Sequence, residues 1–191
     1  LKLHQADIVE FVRYIGSGFK ELATNRSIKF SIESECPGMN IWFDDTKMQR
    51  ILNNIYSNAF KFTPDGGLIS TIVATEKKDE KIFVRIEISD TGCGISEKDL
   101  NVIFDRFYQS EPIPGVTGSG IGLHMVKEYV SLHNGKIEVH SKIGVGTTFL
   151  IYIPSDLKGD DSESKAPAMS PDVEEKVVYS DRKTILIVED N

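Results

Sequence analysis

The chain has 191 residues, 40% of them apolar and 27% charged, which is enough to build a core and excludes global disorder. A net charge of -7 excludes a general nucleic-acid-binding surface, and no apolar run is long enough to span a membrane. Cys36 and Cys93 are too few for a disulfide framework or a paired-cysteine metal site, which points to a reducing, cytosolic setting.

Taken in chain order, Leu1-Lys2-Leu3-His4 is no signal peptide, and the missing initial methionine suggests a piece of a longer chain. Ile8, Phe11, Val12, Ile15 and Phe19 recur at helical spacing and predict an amphipathic helix over 6–24. Residues 28–32 alternate as a strand does. Asp44-Asp45-Thr46 can cap a helix whose apolar positions Met48, Ile51, Leu52, Ile55 and Ala59 keep the helical period. Thr63-Pro64-Asp65-Gly66-Gly67 must end that helix and turn the chain. Strands follow near 68–76 and 81–89, joined by the charged turn Lys77-Lys78-Asp79-Glu80. Glycines punctuate 90–120, with one short helical pattern at 97–103. A helix near 120–133 closes at Asn134-Gly135, and strands near 136–141 and 147–153 are joined by Gly144-Val145-Gly146. Helices with mainly antiparallel strands predict an α+β two-layer sandwich for 1–154.

The charge is unevenly placed. Residues 1–154 carry a net of -2, whereas 155–182 carry -4, most of it in Ser155–Ser164 and on through Pro167 and Pro171, a stretch with almost no large apolar side chains. Such a stretch cannot offset the entropy of ordering and reads as a solvated, flexible linker. Lys183-Thr184-Ile185-Leu186-Ile187-Val188-Glu189-Asp190-Asn191 is an apolar run ending in acids, as in a first strand of a second domain.

Three stretches carry chemistry. Asn54, Asn58 and Lys61 fall at i, i+4 and i+7, on one helix face. Carboxamide oxygens suit Mg²⁺ and an ammonium suits phosphate, although a solvated helix face would look the same. Asp90-Thr91-Gly92-Cys93-Gly94-Ile95 follows a strand directly. A carboxylate there, followed by two glycines, suits close approach to a flat ligand carrying an amine; an ordinary turn is the alternative. Gly115-Val116-Thr117-Gly118-Ser119-Gly120-Ile121-Gly122-Leu123 leads into a helix, where backbone N–H groups can meet phosphate. It is neither a dinucleotide fingerprint nor a P-loop, because no strand precedes it and no Gly-Lys-Ser/Thr ends it. A plain loop remains the alternative.

The order and spacing of these stretches, with Gly144-Val145-Gly146-Thr147-Thr148-Phe149, resemble the ATP-binding domain of sensor histidine kinases, in the superfamily that includes gyrase-type ATPases and MutL. Asn54–Thr63 resembles the N box, Asp90–Ile95 the G1 box, Phe104-Asp105-Arg106-Phe107-Tyr108 the F box and Gly118–Leu123 the G2 box. The resemblance covers about residues 1–154 and implies a Bergerat-type fold, ATP and Mg²⁺ as ligands, and a mobile lid over 96–119. It implies that Asp90 binds the adenine amine with Thr147 beside it, and that Asn58 ligates Mg²⁺ with Asn54 in support. Lys61 would contact phosphate, and Gly118, Ser119, Gly120 and Gly122 the triphosphate. Phe62, Gly92, Gly94, Ile95 and Leu123 complete the implied nucleotide contacts, with Phe104, Phe107 and Tyr108 packing the lid down. Cys93 between glycines is expected as a small filler.

Asn54 stands where gyrase-type relatives carry the glutamate that activates water. An amide cannot take a proton, whereas an imidazole acceptor needs no such base, so the resemblance implies transfer to histidine rather than hydrolysis. Gln109 replaces the arginine frequent after the F-box tyrosine, which leaves Arg106 or Lys61 for the γ-phosphate. The alternatives are an ATP-hydrolysing gyrase-like domain and a nucleotide-free interaction module. His4, His124, His133 and His140 all lack the context of a phosphoacceptor. The acceptor would lie on an upstream dimerisation domain of the same parent chain. Residues 183–191 resemble the first strand of a receiver domain, as in a hybrid kinase. The resemblance thus implies the cytoplasmic portion of a bacterial inner-membrane sensor kinase, with neither nucleic acid nor membrane contact in this stretch.

Overall fold

Residues 1–108 and 120–158 are described by the computed structural model of the chain. Asp7 ends β1 (His4–Asp7) and starts α1 (Ile8–Ser17), its Oδ1 accepting the N–H groups of Val9, Glu10 and Met39. The single helix expected over 6–24 is instead two. α1 closes at Gly18 and α2 (Lys20–Asn25) follows after Phe19. The break turns Phe19 inward, 5.2 Å from the Tyr56 ring and 5.4 Å from Phe60.

β2 (Lys29–Ser34) and β3 (Asn40–Phe43) lead to α3 (Asp45–Phe62). β1 and β3 pair antiparallel as a separate two-stranded sheet that the alternation did not predict. Asp44 caps α3 as expected: its Oδ1 accepts the Lys47 N–H at 3.0 Å, while its Oδ2 takes Lys47 Nζ and the Lys2 N–H at 2.8 Å each. Burial opposes that charge, yet these donors hold the Asp44 pKa down at about 2. Met48, Ile51, Leu52, Ile55 and Ala59 are all buried, as their spacing requires.

β4 (Leu68–Lys78) and β5 (Lys81–Asp90) form a long hairpin. The charged turn tightens to Asp79-Glu80, both at positive φ (47° and 67°), a geometry whose twist matches that of paired strands. After α4 (Glu97–Leu100), α5 (Gly122–Leu132) ends where Asn134 takes φ 52°. β6 (Lys136–Lys142) and β7 (Gly146–Pro154) complete a five-stranded sheet ordered β2-β4-β5-β7-β6. Every neighbouring pair is antiparallel except β2–β4.

The sheet buries one face. Val84, Ile86 and Ile88 of β5 and Phe149, Ile151 and Ile153 of β7 pack with Val12 of α1, Ile51, Leu52 and Ile55 of α3, and Val126 and Val130 of α5. This is the expected two-layer α+β architecture, helices on a mixed, mainly antiparallel sheet. It brings α3 and the last residue of β5 to the same end of the molecule.

Candidate nucleotide-binding site

Three strands finish side by side. Asp90 of β5 is paired with Thr147 of β7, and Thr147 with Ser141 of β6. Asp90 Oδ1 accepts the N–H groups of Gly92 at 2.8 Å and Thr147 at 3.3 Å, whereas Oδ2 accepts nothing from the described residues. The side chain is half-buried, and burial pushes its pKa up against the pull of those two donors. A carboxylate oxygen with no donor among the described residues, on an otherwise anchored side chain, is suited to receive a ligand's N–H.

The glycines after Asp90 are required by the protein itself. A Cβ on Gly92 would lie 2.8 Å from the Phe62 carbonyl, and one on Gly94 (φ 73°) would lie 2.2 Å from the Lys142 carbonyl. The loop is thereby pressed between the end of α3 and the β6–β7 hairpin. Cys93 is exposed rather than the small filler expected of it, and its carbonyl accepts the Gly144 N–H at 2.8 Å. Ile95 turns its side chain onto the core and gives its N–H to Ser141 Oγ at 2.8 Å.

The polar face of α3 forms as its spacing requires. Asn54, Asn58 and Lys61 are half-buried, in a stripe flanking the wholly buried Ile51, Leu52 and Ile55. Asn54 Nδ2 donates to the Arg50 carbonyl at 2.8 Å, which leaves its Oδ1 turned towards Gly122 at the start of α5. A Cβ on Gly122 would sit 2.4 Å from that oxygen, so the glycine keeps the carboxamide in place. Lys61 Nζ lies 5.1 Å from the Phe62 ring centre. Lys61 and Phe62 border an open cleft of about 450 Å³ that Arg26, Thr63, Pro64, Thr91, Gly92, Cys93 and Gly144 also line.

Arg26 is a residue that no sequence pattern flagged. Its Nη2 donates to the Thr63 carbonyl at 2.8 Å, its Nη1 to the Phe60 carbonyl, and its Nε to Asp65 at 2.7 Å. It thus satisfies carbonyls at the C-terminal end of α3 and fixes the turn beside Lys61 and Phe62. Ser141 also went unflagged, although alternation after Ile137 and Val139 places it on the inward face.

Of the expected lid aromatics, Phe104 and Tyr108 pack on the core, and Tyr108 Oη donates to Asp99. Phe107 does not pack down: it stands 61% exposed at φ 67°, with the Arg106 guanidinium 4.8 Å above its ring. Its N–H reaches the Gly120 carbonyl at 3.0 Å, and Gly120 at φ 68° lies so close that a Cβ would meet the Tyr108 carbonyl at 2.6 Å. Leu123 packs against the core, not into the cleft. Gln109, Gly118 and Ser119 lie outside the described residues. Among the described residues no group of His, Cys, Asp and Glu could hold a metal ion, and no helix is long and apolar enough to cross a membrane. A cation here would depend on the Asn54 and Asn58 oxygens and on phosphate.

Residues 43–157 match the model of the histidine kinase-, DNA gyrase B- and HSP90-like ATPase family. The chain belongs to this family. It is 33% identical to histidine kinase P4 of Formosa agariphila over an alignment of 216 residues, covering 100% of this chain and 16% of the relative. It is 38% identical over 162 residues to hybrid signal transduction histidine kinase D of Dictyostelium discoideum, covering 81% of this chain and 10% of the relative. The chain therefore spans a small part of the length of these curated relatives. Among solved structures, the catalytic domain of histidine kinase ThkA superposes with a TM-score of 0.70 over 81% of this chain and 99% of that one, at 23% identity. Full-length ShkA in complex with AMPPNP gives 0.69 at 27% identity, over 81% of this chain and 31% of that one.

These matches make the chain an ATP-binding domain of the histidine kinase type, from the two-component signalling class that includes hybrid sensor kinases.

Proposed function

We propose that the chain binds Mg²⁺·ATP between α3, the Asp90 loop and the Gly120–Gly122 turn, and supplies the γ-phosphate to a histidine on an upstream dimerisation domain of the same parent chain. The Asp90 carboxylate carries the reading: one oxygen is anchored by two backbone donors, and the other is directed at no group among the described residues. That oxygen accepts the adenine amine, and Gly92 and Phe62 line the open cleft beside it. Asn58 and Asn54 offer amide oxygens to Mg²⁺, which when bound screens the phosphate charge. Lys61 and Arg106 are the cations assigned to the γ-phosphate as it transfers.

In the transfer, the bond from the γ-phosphorus to its bridging oxygen breaks, ADP leaves, and a P–N bond forms to the neutral imidazole nitrogen. The imidazole brings its own lone pair, so no side chain at position 54 needs to take a proton from water. Asn54 donates its amide to the Arg50 carbonyl and keeps a carbonyl oxygen outward, which suits a ligand role and not that of a base. In this reading residues 1–154 are the catalytic domain, 155–182 an acidic tether, and 183–191 the first strand of a receiver domain. Relatives named sensor kinases, among them sensor protein EvgS, support placing the domain on the cytoplasmic side of an inner-membrane bacterial sensor.

The test is phosphotransfer from labelled ATP to a separately supplied dimerisation domain of the parent chain. Label on the acceptor histidine only when both parts and Mg²⁺ are present is the expected result. Rapid ADP release without an acceptor, and no labelled histidine, would establish a hydrolase instead. Calorimetry that finds no nucleotide bound at millimolar ATP would establish an interaction module.

A further inference from the structure

One hydroxyl occupies the centre of the base side of the site. Ser141 Oγ meets the Ile95 N–H at 2.8 Å, the Gly146 carbonyl at 2.8 Å and the Thr147 hydroxyl at 2.9 Å. A serine hydroxyl has one proton and two lone pairs. The Gly146 carbonyl can only accept, so the Ser141 proton goes there. The Ile95 N–H can only donate, so it occupies one lone pair. The other lone pair therefore receives the Thr147 proton, which sets the direction of a bond that either oxygen could otherwise donate. Thr147 Oγ1 is left with lone pairs alone for any further partner. Across the β5–β7 pairing lies Asp90, whose Oδ2, when ionised, is likewise only an acceptor.

We propose that Ser141 is a positioning residue that sets base specificity. It holds the Thr147 hydroxyl in an accepting orientation, so that Thr147 and Asp90 together select a base edge bearing an exocyclic amine over one without it. This rests on the reading of the cleft as a nucleotide site. Ser141 also pins the loop through Ile95, and the Gly144 N–H to the Cys93 carbonyl at 2.8 Å is a second tie between the same loop and hairpin. The role is thus both to place the loop and to orient one proton. Only the second predicts a change in which base is preferred.

The two effects separate in calorimetric titrations of the 191-residue chain with ADP and with purine riboside diphosphate, whose ring lacks the amine and keeps every ring nitrogen as it is in adenine. Wild type prefers ADP. Ser141→Ala frees the Thr147 proton to turn towards the ligand and lowers that preference about three- to tenfold. Ser141→Thr, which keeps the hydroxyl, retains the wild-type preference. If Ser141→Ala weakens both nucleotides by the same factor, or neither, the serine is merely structural and the proposal is overturned. Should that variant not fold by circular dichroism, Thr147→Val decides: it removes the acceptor without changing shape, and an unchanged preference overturns the proposal. A wild-type chain that binds neither nucleotide overturns the nucleotide reading itself, a different result from binding with an unaltered preference.

Discussion

Asp90→Asn separates binding from stability, because the two oxygens of Asp90 do different work. Oδ1 accepts from Gly92 and Thr147, and an asparagine carbonyl oxygen can accept both bonds in the same place. Oδ2 becomes an amide, which turns an acceptor into a donor facing the adenine amine. Losing one charge-assisted bond costs about 1.5–3 kcal/mol, and with donor now facing donor the upper end applies. About 3 kcal/mol is roughly a hundredfold in Kd. Stability moves differently. Burial raises the Asp90 pKa above 3.8, so between 3.8 and that raised value the folded state holds more protons than the unfolded one. The cost of burying the charge therefore sets in as pH rises through this window and persists at neutral pH. Asn removes that cost while making the two backbone bonds neutral and weaker, so the melting temperature at pH 7 should stay within about 3 °C of wild type. Any gap between the two proteins should narrow on acidification below 3.8. Calorimetry with ADP and thermal melts across pH measure both. Unchanged ADP affinity would remove Asp90 from the base, and a fall of about 10 °C in melting temperature would refute the claim that its charge costs stability.

Two other perturbations follow from single contacts. Gly122→Ala puts a Cβ 2.4 Å from Asn54 Oδ1, the free end of a movable side chain, while improving helix propensity at the start of α5. Melting temperature should hold while Mg²⁺-dependent ATP affinity falls about tenfold, as read by titration with and without the cation. His133 is wholly buried: its Nδ1–H donates to the Tyr129 carbonyl at 2.7 Å, and its Nε2 accepts the Asp44 N–H at 3.0 Å, so the ring is neutral. Burial, then the Lys47 and N-terminal charges, lower its pKa below 6.5 despite the Tyr129 bond and Asp44. Its stabilising effect is therefore complete above 6.5 and lost as pH falls below it. Melts from about pH 7 to about pH 5.5 should show a decline that His133→Gln flattens, and an equal decline in both proteins would refute the assignment.

The two halves of the site differ in how they are encoded. The half proposed to face phosphate rides on one helix. Once Met48, Ile51, Leu52 and Ile55 are committed to the core, the 3.6-residue period aligns Asn54, Asn58 and Lys61 in one stripe along the edge of the buried face. Local sequence is enough to read that, just as Asp44 is enough to start the helix. The half proposed to face the base is assembled across strands. The bond from Thr147 to Asp90 joins residues 57 apart, and the one from Ile95 to Ser141 joins residues 46 apart. No window of sequence contains both ends, so the motif around Asp90 was visible while the serine that orients its neighbour was not. The same physics explains the missed elements. β1 and β3 have four residues each, too few for alternation to declare itself, and exist because they pair with one another. The break between α1 and α2 is likewise a tertiary decision, since an unbroken helix would satisfy the local pattern. At Gly16 α1 lies so close to β2 that a Cβ would meet Ile32 at 2.1 Å, and Phe19 gains the Tyr56 and Phe60 rings by leaving the helix. Under the proposed function, base selection would depend on residues that only the folded sheet brings together, whereas phosphate contact would depend on residues that a single helix aligns on its own.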